Sequence, residues 1–82
     1  MELTLYQQIA LRRDVPEEGL RRGDVATLID IVPGPVGWPQ GAVLEVFNAV
    51  GDTLCVTTVS VEDIEPLTAN EILSARPLAR AS

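Results

Sequence analysis

The sequence has no histidine and no lysine, a single cysteine, and one each of tryptophan, tyrosine and phenylalanine. Each shortage removes a class of chemistry. Without histidine there is no imidazole to ligate a metal or to move a proton near neutral pH. A serine or cysteine nucleophile needs a base, and only carboxylates, Tyr6 and the α-amino group remain for that work, in no motif that arranges them. No cluster has the spacing of a metal or calcium site. The chain therefore reads as a non-enzyme without cofactor or metal. Cys55 stands alone, so no internal disulfide is possible; it reads as a buried apolar thiol in a reducing compartment. No apolar run approaches the ~18 residues of a membrane-spanning helix. The N-terminus lacks the basic and apolar regions of a signal peptide, which makes the cytoplasm the expected location. With so few aromatics, the core must be aliphatic.

What is present points to one small domain. The 82 residues suit a single core, and a chain of this size buries roughly 60–65% of its unfolded surface. Hydrophobic residues make up 46% of it, too many for a disordered chain of modest charge. Twelve acids face six bases, all arginine, for a net charge of −6. Affinity for phosphate accumulates from positive charge, so nucleic acid and anionic membranes are poor partners.

The longest β-prone run is 24–32, announced by the Gly23-Asp24 turn. Its two faces, Val25/Thr27/Ile29/Ile31 and Ala26/Leu28/Asp30/Val32, both carry apolar residues. Such a strand suits the middle of a small barrel, bent and shared by two sheets. The pattern predicts further strands at 8–12, 42–48, 53–60 and 64–67. The clearest hairpin joins 42–48 to 53–60 across Gly51-Asp52. Pro66 keeps the last strand at an edge. The expected core is Ile9, Val25, Ile29, Leu44, Val46, Leu54, Val56 and Ile64, with Tyr6 covering one end. Thr68 and Glu71 fit a capping box, so a short helix or tail over 68–82 follows a barrel at 1–67. Ile72 and Leu73 are placed to dock on the barrel, Pro77 to end the helix, and 78–82 to fray.

Two connections hold the candidate site. The polar segment 12–22 carries Arg12, Arg13, Arg21 and Arg22 around Asp14, Glu17 and Glu18, with Val15 and Leu20 as apolar anchors. It reads either as a solvated loop with local ion pairs or as an arginine-lined rim for an acidic partner, for which the forked guanidinium is suited. Residues 33–41 hold three prolines and three glycines around Trp38, which excludes a helix or central strand there. Trp38 is either a lid on the core or an exposed anchor of the kind enriched at binding hot spots. Glu62, Asp63 and Glu65 read as a surface turn.

Leu5–Leu11, the block Asp14-x-Pro16-Glu17-x-Gly19-Leu20-x-x-Gly23-Asp24-Val25-Ala26-Thr27, Leu44–Phe47 and Ile64–Leu67 together resemble domain-of-unknown-function family 4926, short bacterial proteins frequent in cyanobacteria. The resemblance runs from about residue 5 to residue 78, and the Pro-Glu-x-Gly-Leu-x-x-Gly-Asp stretch is its most specific part. It implies an all-β, five-stranded SH3-like barrel, no established activity, and a role as antitoxin or immunity partner of a small toxin. A looser resemblance to KOW-type motifs rests on Gly23-Asp24 and Gly41, without the basic residues that meet RNA there. The expected function is a non-enzymatic protein-binding module using Arg12, Arg13, Arg21, Arg22 and Trp38. A nucleic-acid- or ribosome-associated domain and a self-associating structural subunit are the alternatives.

Overall fold

The computed structural model describes residues 3–73 and 75–78. Five antiparallel strands form one sheet: β1 (Gln8–Leu11), β2 (Val25–Val32), β3 (Gly41–Phe47), β4 (Thr53–Ser60) and β5 (Ile64–Pro66). The order across the sheet is β4-β3-β2-β1-β5. The all-β, five-strand expectation holds, and each strand begins and ends within a residue of its predicted bounds. β2 is the middle strand, but of one sheet, not shared between two.

The order places β4 and β5 at opposite edges although only Val61–Asp63, a 3-10 turn, separates them in sequence. Four peptide steps span at most about 14 Å, so the sheet must coil until its edges approach at that end. The turn is tied to both neighbours: the Val61 amide donates to the Gln40 carbonyl at 3.0 Å, and the Asp63 carbonyl accepts from the Arg12 amide at 2.7 Å. No β4–β5 ladder completes the closure among the described residues. The result is an open, barrel-like sheet.

Its concave side holds the core. Ile9, Leu11, Leu28, Leu44 and Ile64 are fully enclosed, each worth about 1.5–3 kcal/mol of apolar burial. Two register shifts decide which residues reach it. Leu28 pairs with Leu44 and Asp30 with Val43, so Ile29 is an extra residue in β2. The bulge reverses the alternation: Ala26 and Leu28 are buried before it, and Ile31 packs on the core after it. Val25 and Ile29, expected in the core, lie outside that cluster. A second shift at Val46/Phe47 makes Leu54 the extra residue of β4. Leu54 and Cys55 pack on the core and Val59 is buried, whereas Val56, also expected inside, is 52% exposed. Val56 sits opposite Glu45 on the outer face. Tyr6 covers nothing. It stands 74% exposed at φ 68, the third residue of a turn in which the Gln7 amide donates to the Thr4 carbonyl at 3.3 Å.

The connection 12–24 is built, not merely solvated. Val15 and Leu20 exchange both backbone hydrogen bonds, at 2.9 and 3.0 Å, and both side chains are buried. Between them Pro16–Glu18 makes a 3-10 turn that ends on Gly19 at φ 70, a left-handed conformation glycine adopts without penalty. Asp14 accepts the Arg22 amide and Asp24 the Arg21 amide, each at 2.8 Å. The Pro-Glu-x-Gly-Leu-x-x-Gly-Asp block is thus a folding device in which nearly every specified residue turns, caps or anchors the chain.

The tail departs from expectation. Glu71 does reach back to the Thr68 amide at 2.8 Å, half of a capping box, and the Glu71 amide bonds the Thr68 carbonyl at 3.1 Å. That single turn is not continued, and no helix follows among the described residues. Pro77 leaves only two turns' worth of chain, short of what offsets helix nucleation. Ile72 and Leu73 do not dock; they are 95% and 61% exposed. Leu78, expected to fray, packs against the core instead. The rest of the predicted frayed end, 79–82, lies outside the described residues. Among the described residues no helix is long and apolar enough to cross a membrane.

Candidate functional site

The coiling that brings residues 61–63 beside loop 12–24 also sets loop 33–40 near both. A groove of about 570 Å³ runs between them. Val15 and Val59 line it from the core, Pro33, Pro39 and Trp38 from loop 33–40, and Arg13, Glu17 and Asp63 supply its charges.

Trp38 is 73% exposed, so it is an exposed side chain and not a lid on the core. Its position is set by backbone geometry. The Trp38 amide donates to the Pro35 carbonyl at 2.9 Å, closing a turn whose third residue, Gly37, has φ 84. Such a turn requires positive φ there. At the loop's base a Cβ on Gly34 would lie 2.1 Å from the Pro39 carbonyl oxygen. Glycine is what lets the two arms of the loop touch, and three prolines limit how far they can part.

The Arg13 guanidinium pairs with Asp63, Nε to Oδ2, at 3.0 Å, and both residues line the groove. Arg13 is largely exposed, so the pair is worth at most about 1 kcal/mol. It orients the guanidinium more than it holds the fold. Glu17 comes from the 3-10 turn Pro16–Glu18 and faces the same space.

Of the five residues the sequence singled out, the structure brings Arg13 and Trp38 together in this groove. Arg12, Arg21 and Arg22 are exposed but are not among its lining. Arg12 and Arg13 both lie in the bend that follows β1, and of the two Arg13 lines the groove. Arg21 and Arg22 are positioned by their amides, which Asp24 and Asp14 hold.

Sequence reasoning missed two contributions. Glu17 and Asp63 lie far apart in the chain and read as separate surface turns; nothing local signals that they share a groove. Arg76, in the tail that the family resemblance includes, is not among the candidate site residues. Its guanidinium donates through Nε to Asp24 Oδ1 at 3.0 Å and through Nη2 to Asp24 Oδ2. The hydrogen bonding to Asp24 raises the Arg76 pKa above its already high ordinary value. Among the described residues no three of the metal-ligating types cluster.

A family model described as "Domain of unknown function (DUF4926)" matches residues 5–66. No curated protein and no solved structure matches the chain.

Proposed function

The chain belongs to the DUF4926 family, and we propose that this member is a non-enzymatic protein-binding module that engages its partner through the Trp38 groove. The observation that carries the reading is Trp38 itself: a tryptophan 73% exposed, at the rim of a concave surface, on a loop stiffened by prolines. A rigid exposed aromatic beside an arginine is the usual make-up of a binding hot spot, and a preformed loop loses little entropy when it binds. Arg13 supplies the charged contact. The immunity role implied by the family resemblance would make the partner a small toxin, met in the cytoplasm.

The test is Trp38→Ala in the full chain. Its stability is expected to stay within about 0.5 kcal/mol of wild type, as for an exposed side chain, while partner capture from native lysate, read by mass spectrometry after nuclease treatment, is lost. Capture that survives the substitution sinks the reading. Capture that vanishes with nuclease alone favours the nucleic-acid alternative, in which removing Arg21 and Arg22 would weaken binding to all sequences and flatten its salt dependence. Mass that grows with concentration of the pure protein favours self-association.

A further inference from the structure

The Trp38 groove takes in four consecutive residues of β4, Thr57–Ser60. Successive side chains of a strand point to opposite faces, so a hollow that touches all four runs along the edge of the strand and not across one face. That edge is open. β4 has β3 on one side and no strand on the other among the described residues. Gly41 sits opposite Ser60, and the Val61 amide donates to the Gln40 carbonyl. Gly41 and Ser60 are therefore a pair without direct hydrogen bonds, which fixes the alternation along the strand. Thr57 and Val59 turn their backbone groups to β3, and Val56, Thr58 and Ser60 turn theirs outward. Among the described residues nothing bonds the amides of Val56, Thr58 and Ser60 or the carbonyls of Val56 and Thr58.

We propose that an extended segment of the partner binds in the Trp38 groove by adding as a strand to β4 at Val56–Ser60, and that it carries a basic side chain for the Trp38 ring and the Glu17 carboxylate. The proposal rests on the reading of this groove as the partner site and supplies the chemistry of the occupant. A row of unpaired main-chain donors and acceptors is met by another main chain, as in recognition by strand addition. Exposed edges are usually blunted by charge, proline or brevity. β5, at the other edge, is three residues long and ends in Pro66; β4 has eight residues with neither a charge nor a proline. Charge selects the occupant. Arg13 and Asp63 offset each other within the groove, while Glu17 has no ion pair or hydrogen bond among the described residues. The groove is left with one free negative charge and an exposed indole, whose face attracts a cation. A second copy of the chain is disfavoured there, since it would bring another net charge of −6 and another Glu17 to the same edge.

The test uses the full chain, isotope-labelled, with the capped peptide Ser-Thr-Val-Arg-Val-Thr-Ser and the same peptide carrying citrulline, the neutral isostere, in place of arginine. Saturable binding of the arginine peptide is expected, with hydrogen exchange slowed at the outward-facing amides of Val56, Thr58 and Ser60. The citrulline peptide is expected to bind several-fold more weakly, and Glu17→Gln to bring the two peptides closer in affinity. Thr58→Pro removes an outward donor at a position where an edge strand tolerates proline, and is expected to abolish binding. Should that variant not fold, Glu17→Gln and the exchange data decide. Absence of saturation, exchange unchanged at those three amides, or equal binding of the two peptides each overturns the proposal. So does slowed exchange there that grows with protein concentration in the absence of peptide, which would give the edge to a second copy. Capture from native lysate separates this proposal from the reading beneath it. Capture lost in Trp38→Ala but kept in folded Thr58→Pro leaves the groove reading standing and removes strand addition, whereas capture kept in both variants removes both.

Discussion

Single residues in this protein act through geometry that composition does not reveal. Two glycines show how differently the same substitution acts. Gly23 has φ 91 with open space around its missing Cβ, so Gly23→Ala meets only the backbone penalty of the left-handed region, about 1–2 kcal/mol. Chemical denaturation should register that loss while affinity for a groove partner stays at the wild-type value. Gly34→Ala creates a clash, since its Cβ would lie 2.1 Å from the Pro39 carbonyl oxygen. The loop must open at its base, which moves Trp38. A fall in partner affinity under conditions where the variant is folded is expected; unchanged affinity would show that Trp38 does not depend on the pinch. The sequence made Trp38 conspicuous but left its exposure open, because a proline-rich loop restricts a tryptophan's backbone without saying which way the ring faces. It also gave four arginines equal weight. The bend at residues 12–13, and the capture of the Arg21 and Arg22 amides by Asp24 and Asp14, are features of the folded chain that set Arg13 apart from the others.

At the scale of elements, the strands were legible and their faces were not. β-branched runs bounded by Gly-Asp and proline turns mark where β2, β3 and β4 lie. Facing depends on alternation, and the bulges at Ile29 and Leu54 each shift it by one residue. Strands with apolar residues on both faces give no local sign of such a shift, so Val25, Ile29 and Val56 read as core while Ala26, Leu28 and Val59 took those places. The assignment is checked by a pair of substitutions. Leu44→Ala removes a side chain with no exposure and is expected to cost about 2–5 kcal/mol. Val56→Thr, on the outer face opposite Glu45, is expected to change stability by no more than about 0.5 kcal/mol. Urea midpoints measured side by side decide it, and a large loss from Val56→Thr would place that residue back inside. The tail misled for a related reason. Thr68 and Glu71 do form the hydrogen bond of a capping box, but the signal is local and says nothing of whether enough chain follows to propagate a helix.

The whole molecule is held by one aliphatic core inside one coiled sheet, and its two edges are joined through three residues. That arrangement predicts strong coupling between β5 and everything else, short as β5 is. Ile64 has no exposure and sits opposite Leu11 in the β1–β5 ladder. Immediately before it, Val61–Asp63 ties loop 33–40 and loop 12–24 together through the Gln40 carbonyl and the Arg12 amide. Truncating Ile64 therefore loosens the core and the clasp that bends the sheet around it. Ile64→Ala is expected to cost about 2–5 kcal/mol, a large share of the 5–15 kcal/mol typical of a domain. Because β5 has no core of its own, the loss should lower the urea midpoint of the entire protein at nearly unchanged slope, in a single transition. Circular dichroism is the probe of choice, since Trp38 is already exposed and its emission should change little on unfolding. An early separate transition would mean that β5 is an appendage and that four strands suffice. A single shifted transition would mean that the clasp is integral, and that the loops it binds, including those that shape the Trp38 groove, keep their positions only while the last strand is in place.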